Sequence, residues 1–244
     1  MITDILTVAW KELREILAFG DSRGRSKFSM LLIIVIFGVF MPLQNGREWV
    51  TSPVSVMVWG WMPYMWVYSV VADSFAGERE RHTLEALLST RLSDKAILFG
   101  KLLTAVAYGF ILTWVILLVS LVTINVVFGG QGLLFFPFDM TIGALMFSIL
   151  ISGLSASIGV LVSLRAGSVR QAQQWMSAGM LVLFLPLMFI QFVPKGWMAS
   201  IISVLKNVDL FTAAIWVVVA LVAIELVLIA ITMRMFQRSK LILD

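Results

Sequence analysis

Six long apolar stretches run through this chain, and they constrain its fold more than any other feature. A helix needs about 20 mainly apolar residues to cross the hydrocarbon core of a bilayer. The stretches predict spans at Phe28–Leu43, Val54–Val71, Ala96–Val127, Met140–Leu164, Ala172–Val193 and Leu210–Met233. With 60% hydrophobic and 13% charged residues, a chain of 244 residues has more apolar surface than a soluble domain can bury. We therefore expect an all-α integral membrane protein with six transmembrane helices and one transmembrane domain over residues 1–244.

The basic residues predict how these spans are oriented. Of the 18 Lys and Arg residues, only Arg47, Lys195 and Lys206 follow an odd-numbered span. All the others precede the first span or follow an even-numbered one. Because basic residues collect on the cytoplasmic side, we expect a multi-pass protein of the cell membrane with both termini in the cytoplasm.

The N-terminal segment, residues 1–27, has the pattern of an amphipathic helix. Apolar residues recur at helical spacing at Ile5, Ala9, Leu13, Ile16 and Leu17, and the charged residues lie mostly opposite. This pattern predicts a helix in the plane of the membrane interface. Residues 28–73 then form spans 1 and 2, residues 74–95 form a cytoplasmic segment, and residues 96–244 form spans 3 to 6 and the C-terminal tail.

The cytoplasmic segment is dense in charge, and its centre predicts a short amphipathic helix. Leucines at 84, 87 and 88 share one face, while Glu78, Arg81 and Glu85 are spaced to pair around the other. Ser93 is placed to cap the third span. A solvated hairpin that only reverses the chain is one interpretation. A surface that binds a partner is the other, and the leucine face favours it.

These residues carry a family resemblance. The run ERERHTLEALLSTRLSDKAILFGK, residues 78–101, resembles the signature of type-2 ATP-binding-cassette (ABC) permeases, which is close to E-R-E-x-G-T-L-E-x-L-L-x-x-P followed by an apolar-G-K step. The layout of an N-terminal amphipathic helix, six spans and short loops is similar to that family along the whole chain. Two positions depart from the pattern: His82 replaces a common glycine and Arg91 replaces the usual proline.

The resemblance implies the membrane-embedded permease subunit of an ATP-driven transporter, more typically an exporter. It implies that residues 74–95 hold a coupling helix that docks on a separate ATPase subunit. It also implies an assembly of two permease subunits, identical or different, with two ATPase subunits. The residues that match the coupling motif are Glu78, Glu80, Thr83, Leu84, Glu85, Leu87 and Leu88.

No ATP-binding loop is present in the sequence itself. Gly100-Lys101 lacks the earlier glycine of the G-x-x-x-x-G-K-[ST] pattern and is followed by leucine. We therefore expect no cofactor and no enzymatic activity in this chain, with ATP and magnesium bound by the partner ATPase. The absence of cysteine excludes thiol catalysis and thiolate metal sites.

The connection between spans 5 and 6 predicts a short re-entrant segment, as the resemblance also implies. Pro194, Lys195 and Gly196 end span 5, and an apolar helical face too short to cross the membrane follows at Trp197, Ile201, Ile202 and Leu205. An interfacial loop anchored by Trp197 is the alternative.

Glu225 lies near the middle of span 6, where an ionised carboxylate is costly. It is a candidate for the lining of a polar pathway, and a structural hydrogen bond is the alternative. An ion-coupled secondary transporter or channel is the main rival function, although one strong buried charge and no repeated halves argue against it. An intramembrane enzyme at Gly153-Leu154-Ser155 is less favoured, because His82 is the sole histidine and lies in the cytoplasmic segment.

The topology can be tested directly, because the chain has no native cysteine. We expect single cysteines at Ser89 and Ser239 to react with a membrane-impermeant maleimide only from the cytoplasmic side. Cysteines at Asn45 and Gln131 should react only from outside. Labelling of Gln131 from the cytoplasm would contradict the six-span topology.

Overall fold

A computed structural model describes residues 1–22, 24–51, 53–189 and 210–236, and these residues form helices without a strand. The α-helices are α1 (Ile2–Ser22), α2 (Gly24–Val35), α3 (Met41–Asn45), α4 (Glu48–Thr51), α5 (Pro53–Glu80), α6 (Leu84–Leu88), α7 (Asp94–Phe128), α8 (Phe138–Arg165), α9 (Val169–Phe189) and α10 (Leu210–Met235). A π-helical stretch, Ile36–Phe40, links α2 to α3, and a 3-10 turn, Gly129–Gln131, follows α7. The predicted re-entrant segment lies outside the described residues.

Three of the described helices are long and apolar enough to cross a membrane: α7, α8 and the Ile215–Met235 part of α10. They coincide with the predicted third, fourth and sixth spans. A shorter apolar helix, Met30–Asn45, overlaps most of the predicted first span, Phe28–Leu43. Helix α5 contains the predicted second span, and α9 contains residues 172–189 of the predicted fifth span. The helical fold class is thus confirmed for the described residues, whereas the count of six spans stays a prediction.

Helix α7 extends beyond the membrane. Its 35 residues correspond to about 52 Å at 1.5 Å per residue, compared with about 30 Å for the hydrocarbon core. Helix α7 is therefore longer than the hydrocarbon core of a bilayer is thick. The Ser93 side chain caps its start by accepting a hydrogen bond from the Ala96 amide at 3.2 Å, as predicted.

The π-helical stretch brings the first apolar helix close to α7. A Cβ atom at Gly38 would lie 2.8 Å from Cγ1 of Val119, so the backbone there approaches the α7 side chains directly. The Gly38 carbonyl accepts a hydrogen bond from the Thr123 hydroxyl at 3.0 Å. The π-helical stretch and α7 are therefore joined by a hydrogen bond as well as by close packing.

The core beside residues 74–95 is formed by α5, α7, α8 and the end of α10. Its buried residues include Val71 and Phe75 of α5, Ile97 of α7, Val160 of α8 and Phe236. Close approach depends on glycine, since a Cβ at Gly159 would lie 2.7 Å from Cγ1 of Val71. Small residues allow such helices to pack closely where lipid gives no hydrophobic driving force between them.

The N-terminal helix α1 packs against the N-terminal part of α7. Val8 is buried directly over Gly100, where a Cβ would come within 2.6 Å of the valine Cβ. One turn further, the Thr104 hydroxyl donates to the Ala9 carbonyl at 3.1 Å. The opposite face of α1 leaves Ile2, Leu6 and Trp10 exposed at helical spacing, as expected for a helix that also meets the interface.

The contact between α1 and α7 predicts a selective effect of Gly100→Ala. The added methyl group would overlap Val8, and overpacking of this kind costs about 1–3 kcal/mol. We expect a lower melting temperature in detergent and faster proteolysis of α1. The matched control is Gly143→Ala in α8, where a Cβ meets nothing within 4 Å. Equal melting temperatures for the two variants would contradict the described packing of α1.

Candidate functional site

Helix α1, the C-terminal end of α5 and the N-terminal part of α7 meet at one buried ammonium group, that of Lys101. Its Nζ lies 2.8 Å from Oε1 of Glu12 in α1 and 2.9 Å from Oε1 of Glu78 in α5. It also donates to the Ser74 carbonyl at 2.8 Å. We call Glu12, Glu78 and Lys101 the Lys101 cluster. One side chain of α7 therefore bonds to two other helices at the root of the cytoplasmic segment.

The Lys101 cluster is shielded from solvent. The side chain of Lys101 is 1% exposed, that of Glu78 is 5% exposed and that of Glu12 is 13% exposed. Removal of one partner from a buried ion pair costs about 3–5 kcal/mol, because the remaining charge is left without compensation. Loss of a contact in the cluster should therefore cost more free energy than loss of a surface salt bridge.

Lys11 lies at the edge of the cluster and completes its charge balance. Its Nζ is 3.1 Å from Oε1 of Glu15 and 3.7 Å from Oε1 of Glu78. Burial by itself lowers the pKa of the Lys11 ammonium, but the carboxylates of Glu12, Glu15 and Glu78 outweigh burial and raise the pKa above its ordinary value. Lys11 is thus positively charged at neutral pH and adds a second cation beside Glu78.

The last residues of α5 also hold the connection between α8 and α9. Arg79 donates from Nη2 to the Leu164 carbonyl at 3.0 Å and from Nη1 to the Ala166 carbonyl. These acceptors belong to the C-terminal turn of α8, where a cation is favoured by the helix dipole. Glu80 accepts a hydrogen bond from the Val169 amide at 3.1 Å and so places an anion at the start of α9.

A serine of α8 enters the hydrogen-bond ladder of α5 just before these charged residues. The Ser163 hydroxyl accepts from the amides of Phe75 and Ala76, at 3.1 and 2.9 Å, and donates to the Ala72 carbonyl at 3.1 Å. A side chain inserted into an i to i−4 ladder is an identifiable cause of helix bending. Ser163 thus ties the last turns of α5 to α8 independently of Arg79.

The turn from α5 into α6 explains one departure from the permease signature. His82 has a φ of 55°, which lies in the left-handed region that glycine adopts without steric cost. The signature commonly has glycine at this position, and the histidine preserves the same turn. The amide of Thr83 then bonds to the Glu78 carbonyl at 2.9 Å, which closes the turn and starts α6.

Helix α6 has one side covered by this chain and one side open. Leu84 is 8% exposed and packs in the core that α5, α7 and α8 form, and Leu87 packs against the same core. We expected these leucines to be covered by a partner subunit, but the chain itself already buries Leu84. Thr83 and Glu85 are exposed, and so are Ala86, Ser89 and Arg91. The described side chains that are exposed on and next to α6 are therefore mainly polar.

The described residues of the motif thus differ in their surroundings. Glu78 lies in the Lys101 cluster, Glu80 caps α9, and Thr83 and Glu85 face solvent on either side of Leu84. The side chain of Leu88 is outside the described residues. Glu78 was also expected to pair with Arg81, which instead lies 3.3 Å from Asp73. Such a surface pair contributes about 0–1 kcal/mol.

Several residues that organise this site were not singled out from the sequence, namely Glu12, Arg79, Lys101 and Ser163. Lys101 could have been found, because it is the last residue of the quoted signature and an ammonium at the start of an apolar span needs a counter-charge. Glu12 and Ser163 had no such signal, because only the packing of the helices shows what they face.

Glu225 of α10 is directed at α8. A Cβ at Gly153 would lie only 2.0 Å from its Oε1, so the carboxyl group occupies the space above this glycine. The serine-rich stretch of α8 around Gly153 is buried in the described structure, which fits helix packing and not an exposed nucleophile. The arrangement brings a carboxyl group and a small-residue helix face together within the membrane.

Comparison with known proteins gives a partial similarity. No family model matches the sequence. Over 122 residues, or 48% of this chain, the sequence is 34% identical to the "ABC transporter permease protein NatB" of Bacillus subtilis (strain 168). The aligned region covers 31% of that protein, so the chain spans about a third of the length of this relative. The similarity supports the resemblance to ABC transporter permeases and agrees with the helices of membrane-spanning length.

The burial of the cluster predicts that Lys101→Met will be strongly destabilising. The two carboxylates of Glu12 and Glu78 would lose their shared cation, and we expect a loss of about 3–5 kcal/mol. Thermal unfolding of the purified protein in detergent would measure it. The matched control is Lys95→Met, at an exposed lysine of the same helix, for which we expect a change within about 0.5 kcal/mol. Similar melting temperatures for both would show that Lys101 is not buried as described.

Proposed function

We propose that this chain is the membrane-embedded permease subunit of an ABC transporter, and that it docks on a separate ATPase subunit through the coupling segment around α6. The observation that carries the proposal is the arrangement of this segment. The elements on either side of α6 are held by contacts with α1, α7, α8 and α9, while Glu85 and Ala86 on α6 are exposed. If the ATPase subunit displaces α6, these contacts pass the displacement on to the helices that hold the segment.

The comparison with NatB supports this proposal, because a permease of an ABC transporter is similar over half of this chain. The type-2 subfamily is assigned on the signature at residues 78–101. We further propose six spans with both termini in the cytoplasm and two permease subunits, identical or different. Two ATPase subunits would bind ATP and magnesium. Export is the direction that the resemblance favours.

The motif residues take different roles in this proposal. Thr83 and Glu85 face the ATPase subunit directly, and Leu88 stays a predicted contact of the same subunit. Leu84 and Leu87 anchor α6 to the core of the permease. Glu78 and Glu80 act through this chain, Glu78 by holding α5 on Lys101 and Glu80 by capping α9. The segment thus combines a docking surface with its own supports.

Glu225 is proposed to line a polar pathway near the middle of the membrane. A carboxyl group at this depth is costly unless it is protonated, hydrogen-bonded or close to water. Its position above Gly153 places it between α10 and α8, where a relative movement of the two helices would change its surroundings. Under this proposal the pathway opens and closes as α8 responds to the coupling segment.

The docking surface is tested by Glu85→Arg. If Glu85 makes charge-assisted hydrogen bonds to the ATPase subunit, reversal of its charge juxtaposes like charges across the interface. We expect the amount of ATPase subunit that co-purifies with the tagged permease from host membranes to fall at least about tenfold, together with magnesium-dependent ATP hydrolysis. The unmodified permease should co-purify with a protein that contains a G-x-x-x-x-G-K-[ST] loop.

The matched control is Glu48→Arg, the same change at an exposed glutamate of α4, which the proposed topology places outside the cell. It should leave the co-purified ATP hydrolysis unchanged. The proposal fails if no such ATPase co-purifies with the unmodified chain, or if the two variants retain equal amounts of it.

A further inference from the structure

The Lys101 cluster connects two elements that are far apart in the sequence: the N-terminal helix α1 and the C-terminal end of α5, which leads into α6. Glu12 belongs to the N-terminal helix, and Glu78 lies four residues before the turn into α6. A single nitrogen atom, Nζ of Lys101, bonds to both carboxylates at 2.8 and 2.9 Å. A movement that separates α1 from the end of α5 must therefore break a contact to this nitrogen.

The surroundings of the nitrogen give it little freedom. It also donates to the Ser74 carbonyl at 2.8 Å and lies 5.1 Å from the centre of the Phe75 ring. An ammonium group has three donors, and the three oxygen atoms of Glu12, Glu78 and Ser74 accept from it. With the side chain 1% exposed, water cannot easily replace an oxygen that moves away.

The other contacts of α1 join it to α7. Val8 packs over Gly100, and the Thr104 hydroxyl bonds to the Ala9 carbonyl. These contacts fix the position of α1 along the axis of α7. The Lys101 cluster and the nearby Lys11–Glu78 pair, at 3.7 Å, connect α1 to α5 as well. Helix α1 is therefore held by two sets of contacts, one with α7 and one with the end of α5, where the coupling segment begins.

We propose that Lys101 and Glu12 are positioning residues that make α1 and the coupling segment one rigid body, so that a push on α6 moves the N-terminal helix with it. This inference rests on the proposed function for the origin of the push, but the rigid connection is a property of this chain alone. The exposed stripe of Ile2, Leu6 and Trp10 would then be carried along the membrane interface during each cycle.

The test uses Glu12→Ala, which removes the buried link through Lys101 and leaves the pair between the half-exposed Lys11 and Glu78 in place. Lys101 keeps Glu78 and the Ser74 carbonyl, so no buried charge is left without a partner and the fold should be retained. The matched control is Glu15→Ala in the same helix, whose carboxylate contacts the half-exposed Lys11 at 3.1 Å. Spin labels on cysteines at Thr7 and Ser89, both exposed, report the distance between α1 and the coupling segment by pulsed electron paramagnetic resonance.

The first measurement uses the full-length chain alone in lipid nanodiscs. We expect a narrow distance distribution for the unmodified chain and for Glu15→Ala, and a broader one for Glu12→Ala. Equal widths for Glu12→Ala and Glu15→Ala would overturn the inference, whatever the chain does with an ATPase. Retained helical content and melting behaviour of Glu12→Ala exclude misfolding as the cause of broadening.

The second measurement uses the complex with its ATPase subunit, without nucleotide and then trapped with magnesium ATP and vanadate. In the unmodified complex the Thr7–Ser89 distance should stay constant within about 2 Å, the scale of small helix shifts. In the Glu12→Ala complex it should change between the two states. A change in the unmodified complex would also overturn the inference. Failure to isolate any complex, by contrast, counts against the proposed function and leaves the first measurement to decide on the rigid connection.

Discussion

The arrangement of the helices beside residues 74–95 depends on one buried cation, the ammonium group of Lys101. Lys101 stands at the start of a long apolar helix, where its ammonium group would be costly without counter-charges. The chain supplies Glu12 from a helix that precedes the first apolar stretch and Glu78 from the end of α5. Because both carboxylates need the same nitrogen, three helices are forced to meet at one point. The position of α6, which follows Glu78 after a tight turn, is a consequence of that meeting.

A second set of contacts fixes the other side of α5. Arg79 satisfies carbonyls at the end of α8, Glu80 satisfies an amide at the start of α9, and Ser163 enters the backbone ladder of α5. These are local solutions to the general need of helix ends and buried polar groups for partners. Together with Lys101 they mean that the residues just before α6 cannot move without moving helices in the membrane. This is the physical basis on which we assign a coupling role to the segment.

The sequence predicted the helical class, the third, fourth and sixth spans, the cap at Ser93 and the short helix at residues 84–88. These features depend on local patterns, such as apolar length, helical periodicity and cap residues, which any reader can take from the sequence. The partner of each charged side chain could not be predicted in the same way. Glu78 was assigned to a pair with Arg81 from its spacing alone, whereas the fold places it on Lys101. Leu84 had the pattern of an interface residue, and the chain buries it in its own core.

The central claim is that a supported helix, α6, receives the action of an ATPase while Lys101 holds α1 and α5 together behind it. A cryo-electron microscopy structure of the chain in lipid with its co-purified ATPase subunit would test this most directly. The account predicts that Glu85 lies in the interface with the ATPase subunit and that Nζ of Lys101 stays within hydrogen-bond distance of Glu12 and Glu78. An ATPase bound elsewhere on the chain, or a Lys101 side chain that faces solvent, would contradict it.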